Sequence, residues 1–361
     1  MLNGIIKKQA PTSLYLFYRT ALPYTLYRAV LHDAFRLVVV SERENRRVMV
    51  MANVSEDMRP LTYEQLMCWV GLTAEPGVRD QFLFVSVLNI VLSVTAFVGN
   101  ALILVALCKE SSLHPPSKLL LRSLATTDFC VALITEPLAV AYWMSVANED
   151  WITCRSVSAA FRITSVALSG VSLVTMTLIS VDRLLALLLR LRYRQIVTLK
   201  ITYMIVVSSW VGSTAITTLY FWNSLITWWS IILVEPLCLL TSIVSYTKIF
   251  LSLRHHQARL QDHAQRPNKT FPLNIARYKE AVSSAIWLQV TMITCYLPQG
   301  IVAVFSINSV VSLSAFLASH YTATLVFINS SLNPILYCWK IQEVRQAVKD
   351  TIRGVLCSSS C

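Results

Sequence analysis

Residues 82–107 read FLFVSVLNIVLSVTAFVGNALILVAL, a run that contains no charged side chain. A helix that crosses a membrane needs about 20 predominantly apolar residues, so this run predicts a transmembrane helix. Six further apolar runs are long enough to span, and they cover residues 118–144, 155–188, 201–226, 229–253, 281–306 and 310–338. The sequence therefore predicts an all-α membrane protein built as a seven-transmembrane helix bundle.

The composition of the whole chain favours a lipid environment. Hydrophobic residues make up 55% of the 361 residues and charged residues 14%, whereas a soluble domain carries about 25% charged residues. The net charge of +12 lies in short segments between the apolar runs, which is typical of loops at the inner leaflet of a membrane. This distribution argues against nucleic acid as a partner and predicts contact with membrane lipids.

Basic residues are concentrated in alternate loops, above all in residues 190–200 and 254–279, and in the tail. The opposite loops carry Glu149, Asp150 and little other charge. The positive-inside rule then predicts a multi-pass plasma-membrane protein with its N-terminus outside and its C-terminus in the cytoplasm.

The chain divides into three parts on this basis. Residues 1–80 are expected to form an extracellular N-terminal segment, residues 81–340 the seven-transmembrane domain, and residues 341–361 an amphipathic helix with a cytoplasmic tail. Apolar residues recur at helical spacing in this last part, at Ile341, Val344, Val348, Ile352 and Leu356. That spacing predicts a short helix lying on the membrane surface.

The first 50 residues allow two interpretations, because they are basic, too polar to span a membrane, and interrupted by Pro23. The segment is a disordered extension, or translation begins at Met49 or Met51, which is the favoured interpretation. Asn53 starts an Asn-Val-Ser glycosylation sequon on the expected outer side, and that position suits a short N-terminus.

Several polar residues fall inside the apolar runs, where burial in lipid is costly. They are Asp128 in the second run, Ser165, Ser169 and Ser172 in the third, and Asn329, Ser330 and Asn333 in the seventh. Spacings of four and three place the three serines of the third run on one helical face, and the two asparagines, four apart, also share a face. These residues either form hydrogen bonds between helices or bind a small hard cation such as Na⁺ through carboxylate, hydroxyl and amide oxygens.

Asp182 and Arg183 close the third run. They are either a pair that reaches the membrane interface without a further role, or a switch in which the acid holds the arginine in one state and releases it in another. Pro236, Pro298 and Pro334 interrupt the fifth, sixth and seventh runs and predict bent helices. Bent helices suit a bundle that rearranges, although a static bundle with three kinks fits the same prolines.

Six motifs occur in a definite order along the runs. They are Gly99-Asn100, Leu124-Ala125-Thr126-Thr127-Asp128, Asp182-Arg183-Leu184, Trp210, Cys295-Tyr296-Leu297-Pro298 and Asn333-Pro334-Ile335-Leu336-Tyr337. Over residues 80–357 the chain resembles the rhodopsin-like (class A) G-protein-coupled receptors. The resemblance implies a receptor, not an enzyme, that binds an extracellular small molecule, lipid or peptide and activates a heterotrimeric G protein.

The resemblance also implies roles for individual residues. The G-protein coupling and activation switch would comprise Asp182, Arg183, Tyr246, Tyr296, Pro298, Asn333, Pro334 and Tyr337. The family's sodium pocket would comprise Asp128, Ser172, Asn329 and Asn333, and allosteric Na⁺ at Asp128 is the one metal expected, with no other cofactor. Leu184 stands where the family usually has a tyrosine, and Tyr296 where it usually has a tryptophan.

The resemblance locates a ligand pocket near the outer half of the bundle. Its candidate residues are Glu136, Ser165, Val166, Ser169, Tyr296, Gln299 and His320. Ser165 stands where amine receptors carry an aspartate, which disfavours a biogenic amine, and the seventh run has no lysine for a retinal Schiff base. Glu136 and Glu235 either pair with a cationic ligand or face water or Arg162.

The second extracellular loop is expected to be very short, and it contains no cysteine. Cys154 resembles the family's third-helix disulfide cysteine, and Cys68 is the obvious alternative partner. Two free thiols are favoured over a Cys68–Cys154 disulfide. Cys357 and Cys361 follow the amphipathic helix, where palmitoylation of Cys357 is expected.

Two other functions compete with a signalling receptor. An uncoupled receptor-like protein would act as a decoy or as a dimer partner, which the intact Asp182-Arg183 and Asn333-Pro334 disfavour. A seven-helix transporter would need an inverted repeat and paired intramembrane charges, and neither is visible in the sequence.

Overall fold

The computed structural model describes residues 68, 77–109, 113–189, 192–219, 224–263, 287, 289–305, 313–340 and 342–358. The described residues are almost entirely helical. The helices are α1 (Val78–Lys109), α2 (Pro115–Ala147), α3 (Trp151–Leu189), α4 (Tyr193–Ile196), α5 (Leu199–Thr218), α6 (Ser224–His263), α7 (Gln289–Phe305), α8 (Leu313–Lys340) and α9 (Gln342–Ser358).

The long helices match the seven apolar runs. Within the described residues, α1, α2, α3, α5 and residues Trp229–Ser252 of α6 are long and apolar enough to cross a membrane, and α7 is a shorter apolar helix. The last of the seven, α8, has 28 residues, which exceeds the length that a bilayer requires. The predicted bundle of membrane helices is therefore confirmed.

The outer surface of the bundle is apolar, as expected for contact with lipid. Along α1, for example, Phe84, Val87, Val91 and Val94 are each more than half exposed. A soluble protein seldom leaves so large an apolar surface in water. The exposed apolar side chains of the bundle therefore face the hydrocarbon of the membrane.

Two buried hydrophobic clusters fill the inside of the bundle. One lies towards the Asp182 end and includes Leu107, Leu124 and Met176, and the other lies towards Cys154 and includes Trp143 and Phe161. Between Ala125 of the first cluster and Val131 of the second, α2 carries Asp128. The polar centre of the molecule is therefore enclosed by apolar packing on both sides.

A π-helical segment, Val131–Thr135, interrupts α2 directly after the turn that holds Asp128. Pro137 lacks an N–H, and its ring would clash with the carbonyl oxygen of Leu133 in a regular α-helix. The wider π turn relieves that clash and changes the direction of the residues that follow it, beginning with Glu136. The sequence contained the proline but did not predict the π turn.

The ends of the bundle also agree with the sequence. Only residues 219–223 separate α5 from α6, so the very short connection expected there is confirmed. The amphipathic helix is α9, whose Val344, Ala347 and Val348 are buried in the cluster that contains α1 and α8 residues. Ile352, expected on the apolar face, is 42% exposed and does not pack into that cluster.

Gly99 brings α1 into close contact with the proline kink of α8. A Cβ atom at Gly99 would lie 2.9 Å from Cγ of Pro334, and real Cβ atoms are not found so close to a neighbouring atom. A glycine is therefore required for the two helices to approach at this point.

We expect Gly99→Val to destabilise the bundle by about 1–3 kcal/mol, because the added side chain overpacks the α1–α8 contact. Gly212→Val is the matched control, since a Cβ at Gly212 in α5 meets nothing within 4 Å. Thermal unfolding of both purified variants measures the difference. Equal stability of the two variants would contradict the proposed role of Gly99.

Candidate functional site

Asp128 is the centre of a hydrogen-bond network that joins three helices. Its carboxylate is fully buried and accepts hydrogen bonds from Ser172 of α3 at 3.3 Å, Ser330 of α8 at 2.9 Å and Asn333 of α8 at 2.7 Å. Buried polar groups in a membrane bundle must find partners inside the protein. This network therefore links α2, α3 and α8 at mid-bundle.

The structure brings together three of the four residues expected at a sodium site. Asn329 is buried near the network, but its amide contacts the sulfur of Met176 at 3.6 Å and makes no hydrogen bond to Asp128. Ser330, which was not among the expected ligands, takes that place. The four-residue spacing of Asn329 and Asn333 was visible in the sequence, whereas the choice of Ser330 depends on how α8 is rotated.

A second polar cluster surrounds Asp182 at the end of α3. Asp182 is 4% exposed and accepts hydrogen bonds from Ser117 of α2 at 2.8 Å and from Tyr193 of α4 at 2.6 Å. The guanidinium of Arg183 lies 3.6 Å from the same carboxylate, and the Arg183 side chain is 44% exposed. Sequence reasoning identified Asp182 and Arg183 but missed Ser117 and Tyr193.

Tyr193 is fixed as a hydrogen-bond donor to Asp182. Burial, together with the hydrogen bond to Asp182, raises the pKa of the Tyr193 phenol to about 12. The phenol therefore keeps its proton throughout the physiological pH range. The ring also packs against His114, with 5.0 Å between the ring centroids, so the short helix α4 is held against the start of α2.

The two tyrosines of the expected switch line one small cavity. Tyr246 of α6 and Tyr337 of α8 both border a space of about 250 Å³ between the helices, together with Gln289 and Met292 of α7. The Tyr337 hydroxyl is buried and has no hydrogen-bond partner among the described residues. The rings of Tyr246 and Tyr337 therefore border the same cavity. Tyr246 also packs against Leu184, the residue that follows Asp182-Arg183.

The remaining switch residues lie at the bends of α7 and α8. Tyr296 is buried, two residues before Pro298, and its hydroxyl donates a hydrogen bond to the backbone oxygen of Ser169 at 3.4 Å. Pro334 lies inside α8, beside Asn333 and its bond to Asp128. Each proline therefore bends its helix next to a polar contact with another helix.

A large cavity opens in the half of the bundle that holds Cys154. The cavity has a volume of about 1120 Å³, including its open mouth. We call it the α3–α6 cavity. Six of the seven expected pocket residues line it, namely Ser165, Val166, Ser169, Tyr296, Gln299 and His320. A concave, mostly apolar pocket with a few polar groups is typical of a ligand site.

The seventh expected pocket residue, Glu136, is not among the described residues that line the cavity. It is fully buried, and neither carboxylate oxygen has a hydrogen-bond partner within the described part of the chain. The assignment of Glu136 to the pocket is therefore wrong in this structure. The π turn Val131–Thr135 directly precedes Glu136, and Pro137 alone did not predict that turn.

Arg162 and Glu235 also line the cavity. Neither was among the seven expected pocket residues, although pairing with a cationic ligand was one of the alternatives left open for Glu235. Their sequence signal was that of single charged residues inside the third and fifth apolar runs, which are functional candidates by default.

His320 is held by an aromatic cluster at one wall of the cavity. Its Nδ1 accepts a hydrogen bond from the indole of Trp143 at 3.0 Å, so the ring carries its proton on Nε2 when it is neutral. Five rings lie within 6.4 Å of the imidazole, centroid to centroid, and they belong to Phe82, Tyr142, Trp143, Phe161 and Phe316. His320 is therefore rigidly positioned.

Cys68 and Cys154 form a disulfide, with their Cα atoms 6.1 Å apart. The favoured alternative of two free thiols is therefore wrong. The distance between the two cysteines is a property of the folded chain, since their sequence separation is 86. The bond ties the segment before α1 to the beginning of α3.

Two expected modification sites remain predictions. Asn53 lies outside the described residues. Cys357 lies in the last turn of α9, and its palmitoylation stays a prediction.

Comparisons with known proteins agree with this arrangement. Residues 99–224 match the family model described as "7 transmembrane receptor (rhodopsin family)". The chain is 27% identical to melanocortin receptor 5 of Ovis aries over 273 residues, which cover 72% of this chain and 82% of that receptor. It is 24% identical to melanocortin receptor 4 of Danio rerio, covering 76% and 85%, and 23% identical to the high-affinity lysophosphatidic acid receptor of Xenopus laevis, covering 73% and 81%.

These relatives are multi-pass receptors of the plasma membrane and not enzymes. The family match and the extent of the shared sequence agree with the helix bundle, the Asp128 network and the Asp182-Arg183 cluster. Over residues 99–224 the chain matches the rhodopsin family of seven-transmembrane receptors, and over about three quarters of its length it is similar to receptors of that family.

Proposed function

We propose that this receptor binds an extracellular ligand in the α3–α6 cavity and activates a heterotrimeric G protein at the Asp182-Arg183 end of α3. The observation that carries the proposal is that α3 connects the two sites. Ser169 of α3 contacts Tyr296 at the cavity, Ser172 contacts Asp128 one turn further, and Asp182 lies at the far end. A shift at the cavity has a continuous route to the opposite end.

The orientation in the membrane follows from two independent features. Basic side chains, including those of Arg192 and Arg194, lie at the Asp182 end and favour the cytoplasmic side. The Cys68–Cys154 disulfide lies at the other end, and disulfides persist in oxidising extracellular surroundings. Both features support an orientation with the α3–α6 cavity outside and Asp182-Arg183 inside.

The cluster around Asp182 describes a resting state. Ser117 and Tyr193 hold the acid by hydrogen bonds, and the acid lies beside Arg183. Separation of Arg183 from Asp182 would free the guanidinium to contact a G protein. Since Asp182 keeps its two neutral donors when Arg183 leaves, the buried carboxylate is not left without partners.

Allosteric Na⁺ is proposed at Asp128, because the available oxygen atoms suit a small hard cation. The carboxylate of Asp128 supplies the charge, and the hydroxyls of Ser172 and Ser330 are beside it. The side-chain oxygens of Asn329 and Asn333 are buried and have no partner among the described residues. Asn329 thus stays a proposed ligand although it makes no hydrogen bond to Asp128.

The test of the proposed function is basal G-protein activation in cells that express the full chain at matched surface level. We expect activation by the wild type and a loss of about tenfold or more in Arg183→Ala, since an arginine placed at an interface is commonly worth over 1.4 kcal/mol. Arg79→Ala is the control, because Arg79 is an exposed arginine at the opposite end of the bundle.

The outcomes separate the competing functions. Activity that Arg183→Ala loses and Arg79→Ala keeps supports a signalling receptor and identifies the class of G protein. Silence of the wild type with every class of G protein, at good surface level, would instead favour an uncoupled decoy or dimer partner.

A further inference from the structure

The α3–α6 cavity contains a carboxylate on α6 that the expected pocket did not include. Glu235 lines the cavity, and its side chain is 5% exposed. Its Oε1 atom is buried and has no hydrogen-bond partner among the described residues. A carboxylate removed from water at this depth loses its hydration, and that loss is large unless a cation or donors replace the water.

The neighbouring helix α7 is shaped to make room for this carboxylate. A Cβ atom at Gly300 would lie 2.8 Å from Oε1 of Glu235 and 3.2 Å from its Cδ. Any other residue at position 300 would push the carboxylate away from α7. The glycine thus lets Glu235 lie between α6 and α7, at the wall of the cavity.

Among the described residues that line the cavity, no other side chain carries a carboxylate. Arg162 of α3 and Glu235 are the one arginine and the one carboxylic acid among the described residues that line it, and His320 is its one imidazole. Arg162 and His320 favour a neutral or negative part of a ligand at their positions. Glu235 is the position at which a positive group gains most.

We propose that the α3–α6 cavity binds its ligand through a protonated amine seated on the Glu235 carboxylate. The inference rests on the proposed function in one respect, namely that this cavity is the ligand site. The amine belongs either to a free small molecule or to a side chain of a peptide, since both present the same ammonium group. The contact lies on α6, so it does not depend on an acid in α3, where Ser165 stands.

The test uses the purified full-length receptor in lipid nanodiscs and saturation-transfer NMR at millimolar fragment concentration. The probes are phenethylamine, its neutral analogue phenethyl alcohol, its acidic counterpart phenylacetate, and the amide of N-acetyl-lysine as a peptide side chain. Binding is measured without a G protein, so a failure of signalling and a failure of amine recognition are distinguishable.

We expect binding of phenethylamine in preference to the alcohol and the acid, and a weakening of about tenfold or more in Glu235→Gln, because the amide cannot form the charge-assisted hydrogen bond of a carboxylate. Gly300→Ala should weaken the same amine while every charge is retained. Asp80→Asn is the matched control, since it removes an exposed acid at the same end of the bundle and should leave binding unchanged.

Binding of the lysine amide as well as phenethylamine supports a peptide source, and binding of phenethylamine alone supports a small molecule. Equal binding of alcohol and amine, unchanged amine binding in Glu235→Gln, or no amine binding at millimolar concentration would each overturn the proposal.

Discussion

Replacing Asp128 with alanine is expected to lower the free energy of unfolding by about 2–5 kcal/mol. The substitution removes the acceptor of three interhelical hydrogen bonds, from Ser172, Ser330 and Asn333. Hydrogen bonds between membrane helices are worth roughly 0.6–1.7 kcal/mol each. The loss is shared by α2, α3 and α8, so the effect should appear as a lower unfolding temperature of the whole bundle and not as local loosening.

The same variant tests the proposed Na⁺ site. We expect the wild type to unfold at a higher temperature in sodium chloride than in choline chloride, because an ion that binds the folded state stabilises it by mass action. Asp128→Ala should lose this difference, and Asp128→Asn should lose it while keeping part of the hydrogen bonding. A salt difference that persists in Asp128→Asn would rule out Asp128 as the ligand.

Thr126→Ala is the control for both measurements. Thr126 lies on the same helix, is exposed, and donates its hydroxyl to the backbone oxygen of Arg122 within its own helix. Its replacement removes a polar group from α2 without touching the network. We expect a change in stability below about 0.5 kcal/mol, which is usual for surface substitutions.

Removing the disulfide with the double variant Cys68→Ser/Cys154→Ala is expected to cost about 2–5 kcal/mol, because an open chain gains conformational freedom in the unfolded state. The bond closes a long loop, with a sequence separation of 86 between the cysteines, and long loops give the larger effects. Cys154 is also 1% exposed and packs with Trp143 and Phe161 in a buried cluster.

The measurement is thermal unfolding with and without a reducing agent. Reduction should lower the unfolding temperature of the wild type towards that of the double variant, and it should leave the double variant unchanged. Cys108→Ala, which removes an exposed free thiol, should behave as the wild type. An equal response of the wild type and the double variant to reduction would show that the disulfide does not form.

Some features of this protein depend on local sequence and on the surrounding lipid, and others depend on how the helices pack. Runs of apolar residues identified the membrane helices because the bilayer imposes a length and a composition on any helix that crosses it. Asp128, Asp182 and Arg183 were identifiable for a related reason, since charged side chains inside or at the end of such a run are costly and rarely accidental. These features depend on local sequence and on the solvent.

The direction in which a side chain points and the distance between helices do not depend on local sequence alone. Glu136 was expected in the pocket, but the π turn at Val131–Thr135 precedes it and the side chain lies elsewhere. Glu235 entered the cavity instead, where Gly300 of another helix leaves space for it. Neither outcome is visible in the spacing of residues along one helix, because both depend on how neighbouring helices rotate and pack.

By itself, then, the sequence determined that this protein crosses the membrane repeatedly, which residues form the helices, and which polar side chains the bundle must accommodate. The tertiary structure decided that Ser330 bonds to Asp128 in place of Asn329, that Ser117 and Tyr193 hold Asp182, and that Cys68 meets Cys154. The physical reason is that hydropathy acts on each segment separately, whereas hydrogen bonds and disulfides require atoms from distant segments to come within a few ångströms, and that distance is set by the packing of the whole bundle.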